Sequence, residues 1–200
     1  MYEEDNESRY LREIYDTILL TQEGFVQSLS PDRIRSLRYY TGGDLNTGLR
    51  KGISKYMGQN HIDNIDSVFN DIPPIDNALT VFRGLQATEA DLRKTDKGYV
   101  SASLLKSVAM KFTGKTCCVL QITLSPNTKI IPLHTISDIS EEQEILLERN
   151  GTFIVTGSAF GSITENNIKT MFVTYIPERS VELRELLQTS EEEKILKIQR

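Results

Sequence analysis

Much of what usually carries protein chemistry is scarce in this sequence. Its 200 residues include two histidines, His61 and His134, and two cysteines, which stand side by side as Cys117 and Cys118. Neighbouring strand residues point to opposite faces, so the cysteine pair cannot together supply a metal site. An adjacent pair is no disulfide framework either, and both cysteines read as small buried hydrophobes. Neither histidine lies in a motif that would activate a serine, which excludes a Ser-His-Asp hydrolase. No His-Glu-x-x-His occurs, and both histidines read as surface or turn residues. The Gly-x-Gly-x-x-Gly and P-loop lysine motifs are also missing, and with them the usual nucleotide-binding loops. Apolar runs stay well short of the roughly 18 residues of a membrane span. The start, acidic from Glu3 to Glu7, lacks the basic and apolar regions of a signal peptide. These absences describe a protein with no membrane partner, acting in a cytoplasm, its own cell's or that of a cell it is delivered to. There are no repeats and no low-complexity tracts.

What is present suits one domain with a real core. The chain is 38% hydrophobic and 26% charged, with a net charge of −5. An acidic balance argues against a nucleic-acid partner, although local basic groups can still hold an anionic ligand.

The first third reads as a helical lobe, residues 1–74. Tyr10, Leu11, Ile14, Tyr15, Ile18 and Leu19 recur at helical spacing. Ser30-Pro31 opens a second helix that runs toward Tyr40 and stops near Gly42-Gly43. A third is expected from Asp44 to Met57 and a fourth from Ile62 to Asn70, before Pro73-Pro74 ends the lobe. Strands follow over residues 75–180: Leu79 to Leu85, Tyr99 to Leu104, Thr116 to Leu124, Thr128 to Ile131, Glu144 to Leu147, Thr152 to Thr156 and Met171 to Ile176. A helical turn near Thr88 and a helix from Leu105 to Phe112 interrupt them. A last helix is expected from Val181 to Gln199, with a capping box from Ser190 to Glu193. A helical lobe followed by many short strands is an α+β arrangement.

Three segments could carry chemistry. Glu142 and Glu144 are two apart, so on a strand both carboxylates would face one side, next to the apolar run Ile145-Leu146-Leu147. The plain alternative is a charged loop leading into a strand. Arg83 stands inside an apolar strand, where an unpaired guanidinium is costly to bury. Its planar fork suits a phosphate or carboxylate in two-point contact, and Gly84 beside it allows close approach of a ligand. An internal salt bridge, with Glu144 for example, explains Arg83 equally well. Ser101 and Ser103 share a strand face and can orient a carboxylate or a ligand, or simply line a half-exposed strand.

In this order the segments resemble the Arg-Ser-Glu class of mono-ADP-ribosyltransferases, which includes clostridial binary toxins, C3-like exoenzymes and small transferases of T-even phages. Val81-Phe82-Arg83-Gly84 looks like the family's arginine strand. Gly98-Tyr-Val-Ser101-Ala102-Ser103 looks like its Ser-Thr-Ser strand, and Glu142-Gln143-Glu144 like its Glu-x-Glu. Tyr40-Thr41 and Asn46-Thr-Gly-Leu-Arg50 resemble the helix that closes over NAD. Phe112-Thr-Gly-Lys115 resembles the phosphate–nicotinamide loop. Ala102 departs from the middle threonine, Lys115 from the usual arginine, and the turn from His134 to Glu141 lacks the aromatic of many toxin members. The likeness spans about Tyr40 to Ile176.

The resemblance implies a helical lobe packed on a mixed or antiparallel two-sheet core, with NAD as ADP-ribose donor and no metal. It implies that Glu144, oriented by Ser101, favours the positive charge that develops on ribose as nicotinamide leaves. Arg83 and Arg50 would hold the pyrophosphate, with Tyr40, Asn46, Gly84, Phe112 and Lys115 completing the cofactor site. Glu142 would position an acceptor arginine on a target protein, as expected of a phage, viral or bacterial effector acting on its host. An NAD glycohydrolase and a silent binding module on the same fold are the alternatives.

Overall fold

The computed structural model describes residues 6–42, 44–52, 58–85, 95–114, 118–160 and 168–178, with backbone alone at 6–8 and 160. Thr88, Lys115, Cys117 and the helix expected from Val181 lie outside the described residues.

The first helical run begins as α1 (Asn6–Ile14), widens into a π turn at Tyr15–Leu19 and resumes as α2 (Leu20–Gln27). Its expected apolar stripe is used: Ile14 and Leu19 are buried, and Leu11, Tyr15 and Ile18 pack against the same cluster, while Tyr10 stays exposed. Helix α3 (Pro31–Gly42) starts on its proline, whose fixed φ suits a first turn and whose missing N–H would have had no partner there. Helix α4 (Leu45–Lys51) ends sooner than the expected Met57, because Gly52 takes a left-handed conformation (φ 71°) and caps it. Helix α5 (Gln59–Asp71) begins three residues before Ile62, its polar first turn having hidden it from apolar periodicity.

Among the described residues seven strands follow: β1 (Leu79–Leu85), β2 (Val100–Ser103), β3 (Cys118–Leu124), β4 (Ile130–Pro132), β5 (Glu144–Leu147), β6 (Thr152–Phe160) and β7 (Lys169–Ile176), with helix α6 (Lys106–Met110) after β2. They form one ladder in the order β4-β5-β2-β1-β3-β7-β6. Every pairing is antiparallel except β3 with β7. One continuous sheet stands where two were expected. The antiparallel set β4-β5-β2 and the mixed set β1-β3-β7-β6 are joined by a single registered pair, Phe82 with Ser103. Strand β6 outruns its expected end at Thr156 because a bulge between Val155 and Gly157 carries the pairing through a polar stretch to Phe160.

Strand alternation divides the core. Ile145 and Leu147 of β5, with Val100 and Ala102 of β2, turn toward a cluster that includes Ile14 and Leu19. Leu146 turns the other way, into a cluster with Tyr40, Leu49, Ile65 and Tyr99 from the helices and β2's start. The helices therefore cover both faces of the β4-β5-β2 set. Burial of these apolar side chains, at about 25 cal/mol per Å², is what holds the layers together. Cys118 is buried in the first cluster, as its reading as a small hydrophobe requires.

Candidate active site

The single pair that joins β1 to β2 leaves a cleft where the two strands part. Arg83 spans it: its Nη1 donates to the Ser101 carbonyl at 2.6 Å. Among the described residues the guanidinium pairs with no carboxylate, so the salt-bridge explanation of Arg83 does not hold there. Burial and the neighbouring Arg50 cation both lower its pKa, but a guanidinium stays charged at any physiological pH. A cavity of about 1160 Å³ opens over this cleft and is lined by Tyr40, Asn46, Arg50, Arg83, Gly84, Ser101, Phe112, Glu142 and Glu144. These are all the residues that the resemblance assigns to the site except Lys115, which lies outside the described residues, and Ser103 lines the cavity with them.

The two glutamates arrive there by a different route from the one their spacing suggested. Glu144 opens β5 and is buried, paired in register with Ser103. Glu142 is not on the strand. It ends a 3₁₀ turn (Ser140–Glu142), and Gln143 between the two adopts a left-handed conformation (φ 48°). Both carboxylates reach the cavity because the turn folds back, and the shared strand face inferred from sequence is corrected accordingly. Ser103 anchors the turn by donating to the Glu142 carbonyl at 2.7 Å. Burial raises the Glu144 pKa; its hydrogen bond from Ser101 opposes this, the charge of Glu142 adds to it, and Arg83 opposes it.

Behind Glu144 stands a directed line of hydrogen bonds. Asn46 Nδ2 donates to the Tyr40 hydroxyl at 2.8 Å. The Tyr40 and Ser101 oxygens are 2.7 Å apart, and Ser101 in turn hydrogen-bonds Glu144. An amide NH₂ can only donate, so Tyr40 accepts from it and passes its own proton toward Ser101, which then donates to the carboxylate. Burial, with the Glu144 charge behind it, pushes the Tyr40 hydroxyl up to about 12, so it remains a donor across the physiological range.

Arg50 is held by a partner that no sequence motif announced. Its Nε and Nη2 meet the two oxygens of Asp96 at 2.8 and 2.9 Å, and Nη2 also reaches the Tyr99 carbonyl at 3.3 Å. Burial acts against the Arg50 charge, but the hydrogen bonds and charge of Asp96 outweigh it and raise the pKa. Asp96 is itself fixed by Gly98, whose backbone N–H donates to it at 2.9 Å. A side chain at Gly98 would strike Asn46 Oδ1 at 2.7 Å and Arg50 at 3.2 Å, so glycine is what lets these two groups meet β2. Asn46 also donates to the Tyr99 carbonyl at 2.9 Å, while its Oδ1 is buried with no partner. Asp96 and Gly98 precede β2 in an irregular stretch without periodicity, where Asp96 pairs with Gly151 across the fold.

Gly84 lines the cavity, and its missing side chain also serves the packing behind it. A Cβ there would lie 2.4 Å from the Ala109 carbonyl and within 3 Å of Phe112, so its missing side chain seats the end of α6 against β1. Phe112 is thereby carried to the cavity's edge, where it is 48% exposed.

Chemically, the cleft sets two guanidinium groups beside a buried, oriented carboxylate and a second, less constrained one. The cations can hold an anionic ligand; the oriented carboxylate can favour positive charge developing near it. Among the described residues no group of three or more His, Cys, Asp and Glu side chains gathers as metal ligands. No described helix is long and apolar enough to cross a membrane.

The fold and the sequence both have known counterparts. Plx2a, an ADP-ribosyltransferase toxin from Paenibacillus larvae, superposes with a TM-score of 0.67 at 13% identity, over 86% of this chain and 96% of its own. The C3 exoenzyme of Clostridium limosum gives 0.65 at 17% identity, over 88% and 97%. Exoenzyme S from Pseudomonas aeruginosa, solved with human 14-3-3 protein beta and Carba-NAD, gives 0.60 at 21% identity, over 85% and 88%. No curated protein matches the sequence. The family model of the ADP-ribosyltransferase exoenzymes matches residues 19–177, a span that contains every segment of the cleft, and the chain belongs to that family.

Proposed function

We propose that this protein is a mono-ADP-ribosyltransferase that passes ADP-ribose from NAD to an arginine of a target protein, with release of nicotinamide. The observation that carries the reading is the unequal treatment of the two glutamates. Glu144 is buried and held by the line from Asn46 through Tyr40 and Ser101, whereas Glu142 is half-exposed at the cavity's edge. One carboxylate is built for the donor sugar and the other is left for an acceptor.

The cavity fits NAD by its own chemistry. Arg83 pairs with no carboxylate among the described residues, and the Asn46 Oδ1 acceptor is buried without a partner. Arg83 and Arg50 supply charge for a pyrophosphate, and at about 1160 Å³ the cavity is large enough for a dinucleotide. NAD supplies a glycosidic bond whose cleavage builds positive charge on ribose as neutral nicotinamide departs. Glu144 meets that charge with a carboxylate already oriented and desolvated, which needs no reorganisation during the reaction. Glu142 matches a guanidinium acceptor in charge and geometry, and proton loss from that acceptor accompanies attack, since a free guanidinium does not deprotonate near neutral pH. The toxins of similar fold support an effector role, in which a bacterial or phage protein modifies a host target.

Incubation with labelled NAD and host-cell lysates, followed by mapping of the modified residue by mass spectrometry, tests this. ADP-ribose on arginine supports it. Nicotinamide release without transfer assigns an NAD glycohydrolase instead, and no release at all assigns a binding module.

A further inference from the structure

The middle residue of Glu142-Gln143-Glu144 points away from the cavity, and its surroundings are as specific as those of the glutamates. We infer that Tyr15, on the far side of the sheet, is a positioning residue for Glu142; this rests on the reading of Glu142 as the group that receives the acceptor.

Gln143 sits at φ 48°, a conformation that a residue with a long side chain adopts only where its environment holds it. That environment is closed. The Tyr15 hydroxyl donates to Gln143 Oε1. Gln143 Nε2 donates to the Ser140 carbonyl at 3.1 Å, which fixes the amide's orientation because a carbonyl can only accept. The Gln143 backbone N–H reaches the same carbonyl at 3.1 Å, and its own carbonyl accepts from Leu104 N–H at 3.1 Å. Among the described residues the Tyr15 bond is the one tie that comes from outside the β2–β5 region.

Tyr15 is aimed by two further features. It begins the π turn that interrupts the first helical run, a rare irregularity that re-registers the side chains after it. Its ring lies 4.7 Å from that of His134, whose Nε2 meets Glu23 Oε1 of α2 at 2.8 Å. The ring is therefore gripped between the helix and the turn after β4. Burial raises the Tyr15 pKa, with the Glu23 charge adding to it, so the hydroxyl stays protonated and donating.

The two glutamates depend differently on this tie. Glu144 is fixed by β pairing and by Ser101. The Glu142 side chain has no hydrogen-bond partner among the described residues, so its placement follows the backbone of the turn, which Ser103 holds on one side and Gln143 on the other. Loosening Gln143 should move Glu142 and leave Glu144 in place.

The test is Tyr15→Phe, which keeps the ring in its packing and removes only the hydroxyl. Transfer to agmatine, a small guanidinium acceptor, is expected to fall about threefold to tenfold, the loss of one intramolecular hydrogen bond. Nicotinamide release without acceptor is expected to stay within about twofold, because Glu144 is held separately. Amide exchange across Ile139–Glu144 should quicken, and Gln143→Met should reproduce both effects without adding to Tyr15→Phe. An unchanged ratio of transfer to hydrolysis, while Glu142→Gln does lose transfer, overturns the inference and leaves the role of Glu142 standing. Equal loss of both activities alongside a lowered melting temperature also overturns it, as a purely structural role. If Glu142→Gln keeps full transfer, or agmatine is not a substrate, the acceptor reading fails instead. Exchange in the turn then decides the positioning: quickened supports it and unchanged overturns it.

Discussion

The hydroxyls of Tyr40 and Ser101 are 2.7 Å apart, set between the donating amide of Asn46 and the accepting carboxylate of Glu144. Because a carboxylate can only accept, Ser101 gives its proton to Glu144, and Tyr40, which accepts from Asn46, gives its own to Ser101. A helix residue thus orients a carboxylate it does not touch. Tyr40→Phe should reduce NAD cleavage about tenfold, the upper range for one buried hydrogen bond, with little change in the far-ultraviolet spectrum. The double variant with Ser101→Ala should lose little more than Ser101→Ala alone, since both act on Glu144 through one line. Nicotinamide release measures it, and full additivity would count against a single line.

Glu144→Gln should abolish both transfer and hydrolysis, with a loss of at least about 10²-fold, the scale for removing one preorganised electrostatic contact. Glu142→Gln should abolish mainly transfer to a guanidinium acceptor while hydrolysis persists. Parallel loss of both activities in both variants would show that the two carboxylates share one task.

The raised pKa of Glu144 has two consequences of opposite value. For activity, the carboxylate must be ionised, so the acid limb of the rate for nicotinamide release should lie above the ordinary carboxylate range. For stability, a folded pKa above the unfolded one favours the fold when the group is protonated. That contribution is complete below the ordinary glutamate pKa and is lost as pH rises through the raised folded value. At neutral pH the native protein therefore bears the cost of a buried carboxylate. Glu144→Gln should melt at a higher temperature at pH 7, by about 2–4 °C for each kcal/mol recovered, and should show no such gain in acid near pH ~3. Calorimetry at both pH values checks this, and an equal or lower melting temperature at pH 7 would contradict the burial argument.

Gly98→Ala should damage binding more than chemistry. Its Cβ would press on Asn46 Oδ1 at 2.7 Å and on the Arg50 guanidinium at 3.2 Å, displacing the clamp formed with Asp96. The KM for NAD should rise about tenfold, with kcat less affected. Asp96→Asn should move KM the same way by releasing Arg50 from its two-point partner. A fall in kcat alone would place Arg50 and Asp96 outside substrate binding.

Much of the site is legible in local sequence patterns. Arg83 in an apolar run, two serines at strand spacing and a glutamate at the head of Ile145-Leu146-Leu147 are patterns of this kind, and each stands on the strand expected of it. Helix α3 is readable for the same reason, since Pro31 and the glycines near Gly42 mark its ends in the chain itself. Where local signals run out, the element ends shift from their expected places. Gly52 stops α4 early, and the polar first turn of α5 shows no apolar period.

The amino-acid sequence by itself determined which side chains were available to the cleft, because strand alternation and helix periodicity decide locally which residues are offered to one side. How they are held was decided only in three dimensions. The left-handed Gln143 that turns Glu142 out of the strand, the Asp96 carboxylate that grips Arg50 and the Tyr15 hydroxyl that reaches Gln143 from 128 residues away follow no local pattern. The last two join groups that are distant along the chain, so packing of the helices on the sheet had to bring them together before either bond could form.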